Sequence, residues 1–464
     1  KLISIGPNYE RAYYGHLLDI IETAFNPDYM SPWLRHYSDF LSSDNLNGNS
    51  SYIRSRSNHV RNLISRAVSE VPFRVTSNSG TNTNKSTISV RGDAWVDVRK
   101  IRLEGTDEGL DIRWLDDNSW EINLPVRSGP NDYTLEGVGF SGELIGSANY
   151  SINGNGVVEP AGRENLAISE IHYHPHSPSQ EEVDAGFTDS SMFEWIELVN
   201  ISDSDTIDLS NVHFVSGINF SIPSGTLLGP GKRIVIPSNI AAFTHRYGEL
   251  ENGTLLNQSF LDDHGNNKLS NAGERILLYS ADNVPIADLS FRDDRPWPVS
   301  VDGAGYSLTL MMPGTNDTSL AQSWRSSFDV GGTPGSADFI PILSWLDENG
   351  GVELLGDIDG DGRPALIEYL ENTDPLKKDN TNTRVELSED GELRIEFLQA
   401  IGHDEVYFYA QSSVDFNEWK AEEVEYRGRV NNGDGTETVR FRIDNSVRSL
   451  GKNGFLRLAV SEDP

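Results

Sequence analysis

The stretch DIDGDGRPALIE, residues 357–368, places carboxylates at the spacing that a calcium-binding loop requires. The residues at positions 1, 3, 5 and 12 of this stretch are Asp357, Asp359, Asp361 and Glu368. Gly362 stands at position 6, where such a loop turns sharply, and the carbonyl of Arg363 at position 7 would add a further oxygen. Calcium is a hard cation that takes about six to eight oxygen ligands, so this pattern predicts a calcium site. An acidic surface turn, the alternative interpretation, does not require carboxylates at all four positions.

A second group of candidate metal ligands is the alternating histidines of EIHYHPHSPSQEE, residues 170–182. Side chains two residues apart share one face of an extended strand, so His172, His174 and His176 would lie on the same face. Acidic neighbours that could complete a zinc-like site are Glu170, Glu181 and Glu182. However, Pro175 interrupts a regular strand ladder, and the spacing matches no helical zinc motif. A structural role at a strand edge is therefore the competing interpretation.

The sequence contains none of the short catalytic motifs that spacing can identify. GTLLGPGKR resembles a phosphate loop only superficially, because the interval from Gly225 to Gly231 is one residue too long and arginine follows Lys232. The serine-nucleophile elbow, the H-E-x-x-H zinc motif and the H-R-D and D-F-G phrases of protein kinases are absent. Since the chain has no cysteine, thiol catalysis, thiolate metal sites and disulfides are excluded. We therefore expect the chain to be non-catalytic.

The excess of acidic over basic residues limits the kinds of partner and the cellular location that we expect. The 464 residues include 71 Asp and Glu against 37 Lys and Arg, a net charge of −34. Such a chain repels phosphate backbones and anionic membrane surfaces, so neither nucleic acid nor a membrane is an expected partner. No run approaches the roughly 18 apolar residues of a membrane span. The acidity fits a salty, calcium-containing medium, so we expect an extracellular or cell-surface location, and the start at Lys1 suggests a piece of a longer protein.

Hydrophobic periodicity predicts a helical start followed by β modules. The first residues show helical spacing, as in SPWLRHYSDFLSS, where Ser31 is the expected N-cap and Pro32 the first helical residue. Beyond Pro72, short alternating runs such as STISVRG and SWEINLPV predict a small β-sandwich, and further strand patterns follow the calcium loop. The expected divisions are a helical segment at 1–71, sandwiches at 72–156 and 157–340, a calcium-loop linker at 341–381 and a last sandwich at 382–464.

Residues 166–337 resemble the bacterial form of the lamin-tail domain. The phrases that carry the resemblance, in order, are ISEIHYHP, FEWIELVNISDSDTIDLSNVHF, FSIPSGTLLGPGKRIVI, DGAGYSLTLMMP, SWRSS and GGTPGSAD. That family has an immunoglobulin-like β-sandwich and occurs as an accessory module of secreted bacterial proteins. The resemblance thus implies a mainly β, multi-domain string of immunoglobulin-like β-sandwiches behind an N-terminal helical segment. It also places the histidines in a recurring phrase on the family's first strand, which favours their structural interpretation.

Two shorter resemblances flank this region. Residues 1–70, with NYERAYYGHLLDIIETAFNPDYM and YIRSRSNHVRNLI, look like the C-terminal helices of a CotH-type kinase domain, whose nucleotide-binding residues would lie upstream of Lys1. DIDGDGRPALIEYLENTDPLKKD resembles the calcium repeats of thrombospondin type 3 and dockerins. That resemblance implies Asp374 and Asp379 as further calcium ligands. One repeat is present where a dockerin has a pair, which speaks against docking of the cohesin type.

These features favour a non-catalytic extracellular region for adhesion, scaffolding or surface display, with Ca²⁺ as its cofactor. Calcium sensors open a Met-rich apolar groove, but this chain has a single loop, no Met-rich helix and only four methionines. We therefore expect the ion to stiffen a linker as a structural clip and not to act as a sensor. Expected partners are a cell-surface or extracellular protein or a polysaccharide, and the sequence is compatible with a homo-oligomer. Two alternatives stay open: a secreted CotH-like kinase with its catalytic part upstream of residue 1, and carbohydrate-binding modules. Candidate aromatic platforms, for which a core position is the simpler interpretation, are Trp114, Trp120, Trp297 and Trp419.

Overall fold

The computed structural model of the chain describes residues 7–40, 46, 48–107, 109–250, 252–262, 264–387, 392–443 and 454–461. In these residues the protein is mainly β, with immunoglobulin-like sandwich modules behind a helical segment, so the predicted fold class is confirmed. Of the helices in the described ranges, none has the length and apolar character needed to cross a membrane.

Three helices open the described chain: α1 (Pro7–Glu22), α2 (Pro27–Phe40) and α3 (Gly48–Ala67). The predicted start of the second helix at Ser31 is wrong, because the helix already begins at Pro27 and Pro32 lies inside it. Asn26 explains the earlier start, since its side-chain oxygen accepts the N–H of Tyr29 at 2.9 Å and so caps the first turn.

The helical segment is fixed to the first sandwich by a buried arginine. Arg11 of α1 is 4% exposed and donates to the carbonyls of Ala94 and Trp95 at 3.0 and 2.6 Å. Leu18 and Ile64 pack with Trp95 in a shared apolar cluster. The sandwich that follows the helices therefore contributes part of the apolar core of the helical segment.

The first sandwich contains eight strands in two four-stranded sheets. The strands are β1 (Arg74–Val75), β2 (Thr81–Thr83), β3 (Thr87–Asp93), β4 (Lys100–Leu103), β5 (Arg113–Trp114), β6 (Ser119–Pro125), β7 (Gly129–Val138) and β8 (Leu144–Gly154). The sheet orders are β1-β3-β6-β5 and β2-β8-β7-β4. Burial alternates along β6, where Trp120, Ile122 and Leu124 enter the core, as the period of two predicts.

The second module carries strands β9 to β21. They are β9 (Glu159–Pro160), β10 (Leu166–His172), β11 (Trp195–Asn200), β12 (Ile207–Asp208), β13 (His213–Ser216), β14 (Phe220–Ser221), β15 (Leu227–Leu228), β16 (Arg233–Pro237), β17 (Gly253–Leu255), β18 (Gly273–Tyr279), β19 (Pro285–Arg292), β20 (Leu308–Leu310) and β21 (Trp324–Ser326). Its helices are α4 (Gln180–Asp184) and α5 (Ile240–Tyr247), with short 3₁₀ turns at Ser190–Phe193, Val299–Val301 and Ala321–Ser323. The sheets have the orders β17-β16-β11-β10-β20-β21, β14-β13-β18-β19 and β15-β12-β9.

The six-stranded sheet of this module has one apolar face and one polar face, and both are buried. The apolar face belongs to the main core and includes Ile196, Leu198 and Ile234. The opposite face carries Glu170 and Glu197, which stand directly across from each other on the antiparallel pair β10 and β11. Two buried acids on neighbouring strands are costly unless they are bonded, so this face needs partners.

The last part of the chain contains α6 (Ile342–Glu348), α7 (Ala365–Glu371) and six strands. The strands are β22 (Arg384–Leu387), β23 (Leu393–Ala400), β24 (Tyr407–Ser413), β25 (Val424–Asn431), β26 (Thr436–Ile443) and β27 (Phe455–Ser461). They form a sheet of order β22-β23-β26-β25 and the pair β24-β27. Leu370 of α7 belongs to the core between these sheets, together with Phe397 and Phe441. The expected division between a linker at 341–381 and a sandwich at 382–464 stays a prediction.

Candidate metal centre

The acidic loop lies between α6 and α7, and its turn is held by its first carboxylate. Asp357 accepts N–H groups from Gly360, Asp361 and Gly362 at 2.9, 3.1 and 2.9 Å. Gly360 and Gly362 have φ angles of 73° and 96°, which glycine adopts without strain. The backbone therefore turns as the spacing predicts and directs the following carboxylates inward.

The predicted ligands form two overlapping groups. Oxygen atoms of Asp357, Asp359 and Asp361 lie within 4.8 Å of one another, and so do those of Asp361, Glu368 and Asp379. Asp361 is common to both groups. Asp374 belongs to neither; it is exposed, and its side chain accepts the N–H of Leu376 at 3.0 Å. In the described residues these two groups are the places where three or more acidic or histidine ligands converge.

Two buried carboxylate oxygens in the loop have no hydrogen-bond partner within the part of the chain that the structure describes. They are Oδ2 of Asp359 and Oε1 of Glu368, whose residue is 1% exposed. Burial and the neighbouring charge of Asp359 raise the pKa of Glu368 to about 7. A buried acceptor without a donor is rare in a folded protein, and a cation bound between the two oxygens would satisfy both. The donor set is all oxygen, which is the set that calcium prefers.

The side chain of Arg363 has a role that the sequence pattern did not predict. Its guanidinium donates to Asp361 and Glu371 at 2.9 Å each and also contacts Asp379. It lies 3.9 Å from Glu368 Oε1, beyond hydrogen-bond distance. The positive charge that neutralises the group around Asp379 thus belongs to the chain itself. The carboxylates of Asp357, Asp359 and Asp361, together with Glu368, are therefore the candidate site for an added cation.

The helix that follows the loop is anchored in both directions. Tyr369 stacks on His403 with ring centroids 4.4 Å apart and an interplanar angle of 12°. Its hydroxyl donates to the carbonyl of Ile340 at 2.6 Å. Glu368 and Tyr369 are adjacent on α7, and the Tyr369 side chain contacts both the end of the second module and the last sandwich.

A buried ion pair and a buried hydrogen bond join the second module directly to the last one. Arg325 of β21 donates to both oxygens of Asp404 at 2.8 and 2.7 Å and to Asp338 at 3.0 Å. Glu437 accepts from Arg429 at 3.0 Å and from the hydroxyl of Ser326 at 2.6 Å. These side chains are almost fully buried. The two modules therefore form a close contact that does not depend on the loop between them.

The side chains of the three histidines in residues 172–176 lie in three different environments. His172 is fully buried and stacks on Trp195 at 5.6 Å, and burial lowers its pKa to about 3. His174 Nδ1 contacts Asp302 at 2.5 Å, and His176 Nδ1 contacts the Ser177 carbonyl at 2.8 Å. In the described part of the chain, neither metal-holding group includes any of the three. The metal interpretation of these histidines stays a prediction, while the contacts correspond to a structural role.

Sequence reasoning did not find the function of the buried acids Glu170 and Glu197. Glu170 accepts the N–H of Thr333 at 2.9 Å, and Glu197 accepts that of Gly335 at 2.6 Å. They thus hold the GGTPGSAD segment, residues 331–338, across the polar face of the sheet. Burial raises the pKa of both carboxyls, and the charge of Glu197 raises the pKa of Glu170 further. In the sequence, the only indication of this role is that both acids fall within strand patterns, because two acids on one face of a buried strand pair are unusual.

The four tryptophans considered as sugar platforms have covered faces. Trp120 and Trp297 are buried in cores. The Arg11 guanidinium lies 3.4 Å from the ring centroid of Trp114, and that of Arg457 lies 4.2 Å from Trp419. These contacts favour the core interpretation for the first two and a cation–π role for the other two.

Comparisons with known proteins agree with part of this picture. The Lamin Tail Domain family model matches residues 159–293. A search of curated proteins finds no match. Among solved structures, the chain is similar to SGBP-B of the Bacteroides ovatus mixed-linkage glucan utilization locus, in complex with a mixed-linkage heptasaccharide, at 12% identity and a TM-score of 0.14. The match covers 38% of this chain and 50% of that one, so this chain spans about half the length of that structure. The CotH-type and calcium-repeat resemblances stay predictions, and what is shown is a multi-modular β chain in which residues 159–293 match the Lamin Tail Domain model.

Proposed function

We propose that the chain is a non-catalytic, extracellular binding region for adhesion, scaffolding or surface display, in which one Ca²⁺ acts as a structural clip. The observation that carries the proposal is the unpartnered, buried Glu368 Oε1 beside the carboxylates of Asp357, Asp359 and Asp361. The bound ion would supply positive charge that offsets the repulsion between these carboxylates. The chain's own residues provide the rest, because α7 ties the loop to the last sandwich through Tyr369 and Leu370.

The clip interpretation is favoured over a sensor by the packing of α7. A sensor exposes an apolar groove when the ion binds, which requires a helix that can separate from its neighbours. Here Leu366, Tyr369 and Leu370 are all buried. Their release would open the core of the last sandwich, so the ion is expected to hold the helix in place. At a free calcium concentration of 100 times the dissociation constant, binding to the folded form alone stabilises it by about 2.7 kcal/mol.

Calcium titration by calorimetry tests the site with matched variants. The wild-type chain should bind one Ca²⁺, Asp361→Ala should abolish binding, and Glu368→Gln should weaken it. Asp374→Ala is the control, because Asp374 lies in the same segment and outside both carboxylate groups. Equal calcium affinity in the wild type and Asp361→Ala would contradict the site, and loss of affinity in Asp374→Ala would restore Asp374 as a ligand.

Limited proteolysis tests the clip itself. We expect a chelator to increase cleavage between Asp357 and Asp379 and to leave the lamin-tail module intact, since that module has its own core. Asp361→Ala should give the same fragments without a chelator. Identical fragments with calcium, with chelator and in the variant would refute the clip, and a calcium-dependent apolar surface that binds a partner would support the sensor.

The two alternatives have direct tests. The kinase alternative predicts ATP turnover once the upstream part of the protein is included, and none from these 464 residues alone. The carbohydrate alternative predicts saturable binding to a glycan array by the isolated chain. Each outcome separates that alternative from a protein-binding scaffold.

A further inference from the structure

A cavity of about 600 Å³ opens on the second module, between the turn before β11 and the loop that leads into β18. Ser190 and Glu194 line it from the side of the turn, and Lys268, Ser270 and Asn271 line it from the side of the loop. The volume is within the range of roughly 300–1,000 Å³ that small-ligand sites occupy. Its lining residues belong neither to the calcium loop nor to the contact between the second and last modules, so a ligand here would bind independently of both.

Glu194 is a buried acid in this lining with one free oxygen. The residue is 1% exposed, and its Oε2 accepts the N–H of Leu269. Oε1 has no hydrogen-bond partner among the described residues and is open to the cavity. Burial raises the pKa of Glu194 to about 9, so the carboxyl is neutral at neutral pH and both donates and accepts hydrogen bonds. A buried polar group without a partner is costly, so a ligand hydroxyl that bonds to Oε1 would gain binding free energy.

The other acids around the cavity are bonded to the backbone that forms its walls. Asp189 caps the turn by accepting the N–H of Ser191 at 2.9 Å. Asp262 accepts the N–H of Asn266 at 2.7 Å within the loop, and Glu274 accepts a loop N–H at 3.3 Å. In the described part of the chain these acids do not converge as metal ligands. Their role is therefore to shape the cavity, and Glu194 differs from them by its free oxygen.

The remaining polar side chains of the lining are neutral hydrogen-bonding groups and one ammonium. Those without a hydrogen bond or ion pair in the described ranges are Ser190, Lys268, Ser270 and Asn271. The loop that carries three of them is fixed to the module, because the Asn267 amide donates to the carbonyls of Ser238 and Phe260 at 2.9 and 2.8 Å. Donors and acceptors are thus held near Glu194, which lowers the entropy cost of binding a rigid polar ligand.

We propose that this cavity binds one neutral sugar unit, with Glu194 Oε1 hydrogen-bonded to a ring hydroxyl. A sugar ring is rigid, and its hydroxyls donate and accept, which matches the free hydroxyls, amide and carboxyl of the lining. An anionic ligand would meet the charges of Asp189, Asp262 and Glu274, and an apolar ligand would leave the free polar groups without partners. The inference names a ligand class for the proposed binding region and rests on that function. The sugar unit can belong to a polysaccharide or be a free monosaccharide.

Titration of the full chain with the methyl glycosides of glucose, galactose and mannose tests the proposal. At least one of them should saturate a single site with a dissociation constant of about 1 mM, which about 13 non-hydrogen atoms can provide. Glucuronate and glucosamine are the matched charged probes. Glucuronate should bind at least about tenfold more weakly than the neutral glycoside, and glucosamine no more tightly. Absence of saturation by all three glycosides up to about 20 mM, or tighter binding of either charged sugar, overturns the proposal.

Variants of the lining identify the site. Asn271→Trp should weaken the glycoside at least about tenfold, because Asn271 is exposed at the cavity and the larger ring fills the space without entering the core. Asn62→Trp, exposed on α3, is the matched control. Glu194→Gln should bind within about threefold of the wild type, since the amide keeps an acceptor for Leu269 and a donor toward the cavity, whereas Glu194→Leu should lose at least about tenfold. Should Glu194→Leu fail to fold, Asn271→Trp decides alone. Wild-type binding by Asn271→Trp, or equal binding by the two folded Glu194 variants, overturns the proposal.

A final comparison separates the two sources of the sugar unit. A neutral tetrasaccharide of the sugar that binds indicates a polysaccharide if it binds more tightly than the methyl glycoside, and a free monosaccharide if it does not. Both outcomes support the shared chemistry. The calcium clip is recognised separately, because Asp361→Ala should leave glycoside binding unchanged. Loss of sugar binding in a chain that still binds one Ca²⁺ would refute this site and leave the clip in place.

Discussion

The ion pair between Arg325 and Asp404 should be one of the strongest single contacts between the second module and the last sandwich. Arg325 is fully buried, and its two bonds to Asp404 are 2.8 and 2.7 Å long. Asp404→Leu would remove both bonds and leave the guanidinium with Asp338 as its remaining acidic partner. Because the charge stays in the protein interior, the variant should be strongly destabilised.

Two independent estimates of the cost agree. Removal of one partner from a buried ion pair costs about 3–5 kcal/mol. Two hydrogen bonds to charged groups, at about 1.5–3 kcal/mol each, give a similar total. Arg325→Met should cost a comparable amount, whereas the double variant Arg325→Met/Asp404→Leu should cost much less than the sum. We expect a coupling free energy of about 3 kcal/mol between the two sites.

Urea unfolding, followed by tryptophan fluorescence, measures the four free energies of this cycle. Arg275 and Asp288 provide the control, since they make the same two-bond contact at 2.9 and 2.7 Å with side chains 54% and 49% exposed. The control pair should couple much more weakly, because solvent screens an exposed ion pair. A coupling for Arg325 and Asp404 that is no larger than the control would refute the reasoning, because the pair would then not be buried in solution.

Two further predictions concern the modules separately. Burial lowers the pKa of His172 from 6.5 to about 3, so the stability contributed by its neutral form is present above pH 6.5 and is lost as the pH falls toward 3. In acid denaturation, His172→Phe should lose less stability over that window than the wild type does, and parallel curves would contradict this. Gly92→Ala should destabilise the first sandwich by about 1–3 kcal/mol, because a Cβ would lie 2.0 Å from the Trp120 ring and 2.2 Å from the Arg74 carbonyl. Gly109→Ala, whose nearest atom would be 3.5 Å away, is the control, and equal melting temperatures for the two variants would contradict the packing argument.

Local patterns in the sequence were sufficient to predict secondary-structure elements such as β3 and the turn of the acidic loop. STISVRG alternates with a period of two, and strand β3 spans Thr87–Asp93. The carboxylates at 357, 359 and 361 converge because their spacing and two glycines determine the turn. The start of α2 could not be predicted correctly, since Asn26 competes with Ser31 as a cap and only the packed structure decides between them.

Contacts between distant residues were outside the reach of sequence reasoning. Arg325 and Asp404 are 79 positions apart, and nothing near either residue indicates the other. The same holds for Glu170, which bonds Thr333 across 163 positions. The residue at position 7 of a calcium loop contributes its backbone carbonyl as a ligand. The pattern therefore gave no reason to expect that the side chain of Arg363 neutralises Asp379. Pairings of charges depend on the whole fold, whereas loop and strand patterns depend on a few neighbours.

The buried pairs between the modules also determine how the chain would carry mechanical load. Arg325 contacts Asp404, and the N–H of Ile340 donates to the Gly402 carbonyl at 2.7 Å. The segment between residues 341 and 401, which includes the acidic loop, is thus bridged at its two ends. Tension along the chain passes first through the bridge, and the loop carries none of it until the bridge breaks. The part of this segment before β22, residues 341–383, is about 43 residues or some 145 Å when extended at roughly 3.4 Å each, and it is released only when α7 leaves the core of the last sandwich. For a region placed between a surface and a partner, extension under force would therefore be coupled to the opening of the last sandwich at α7.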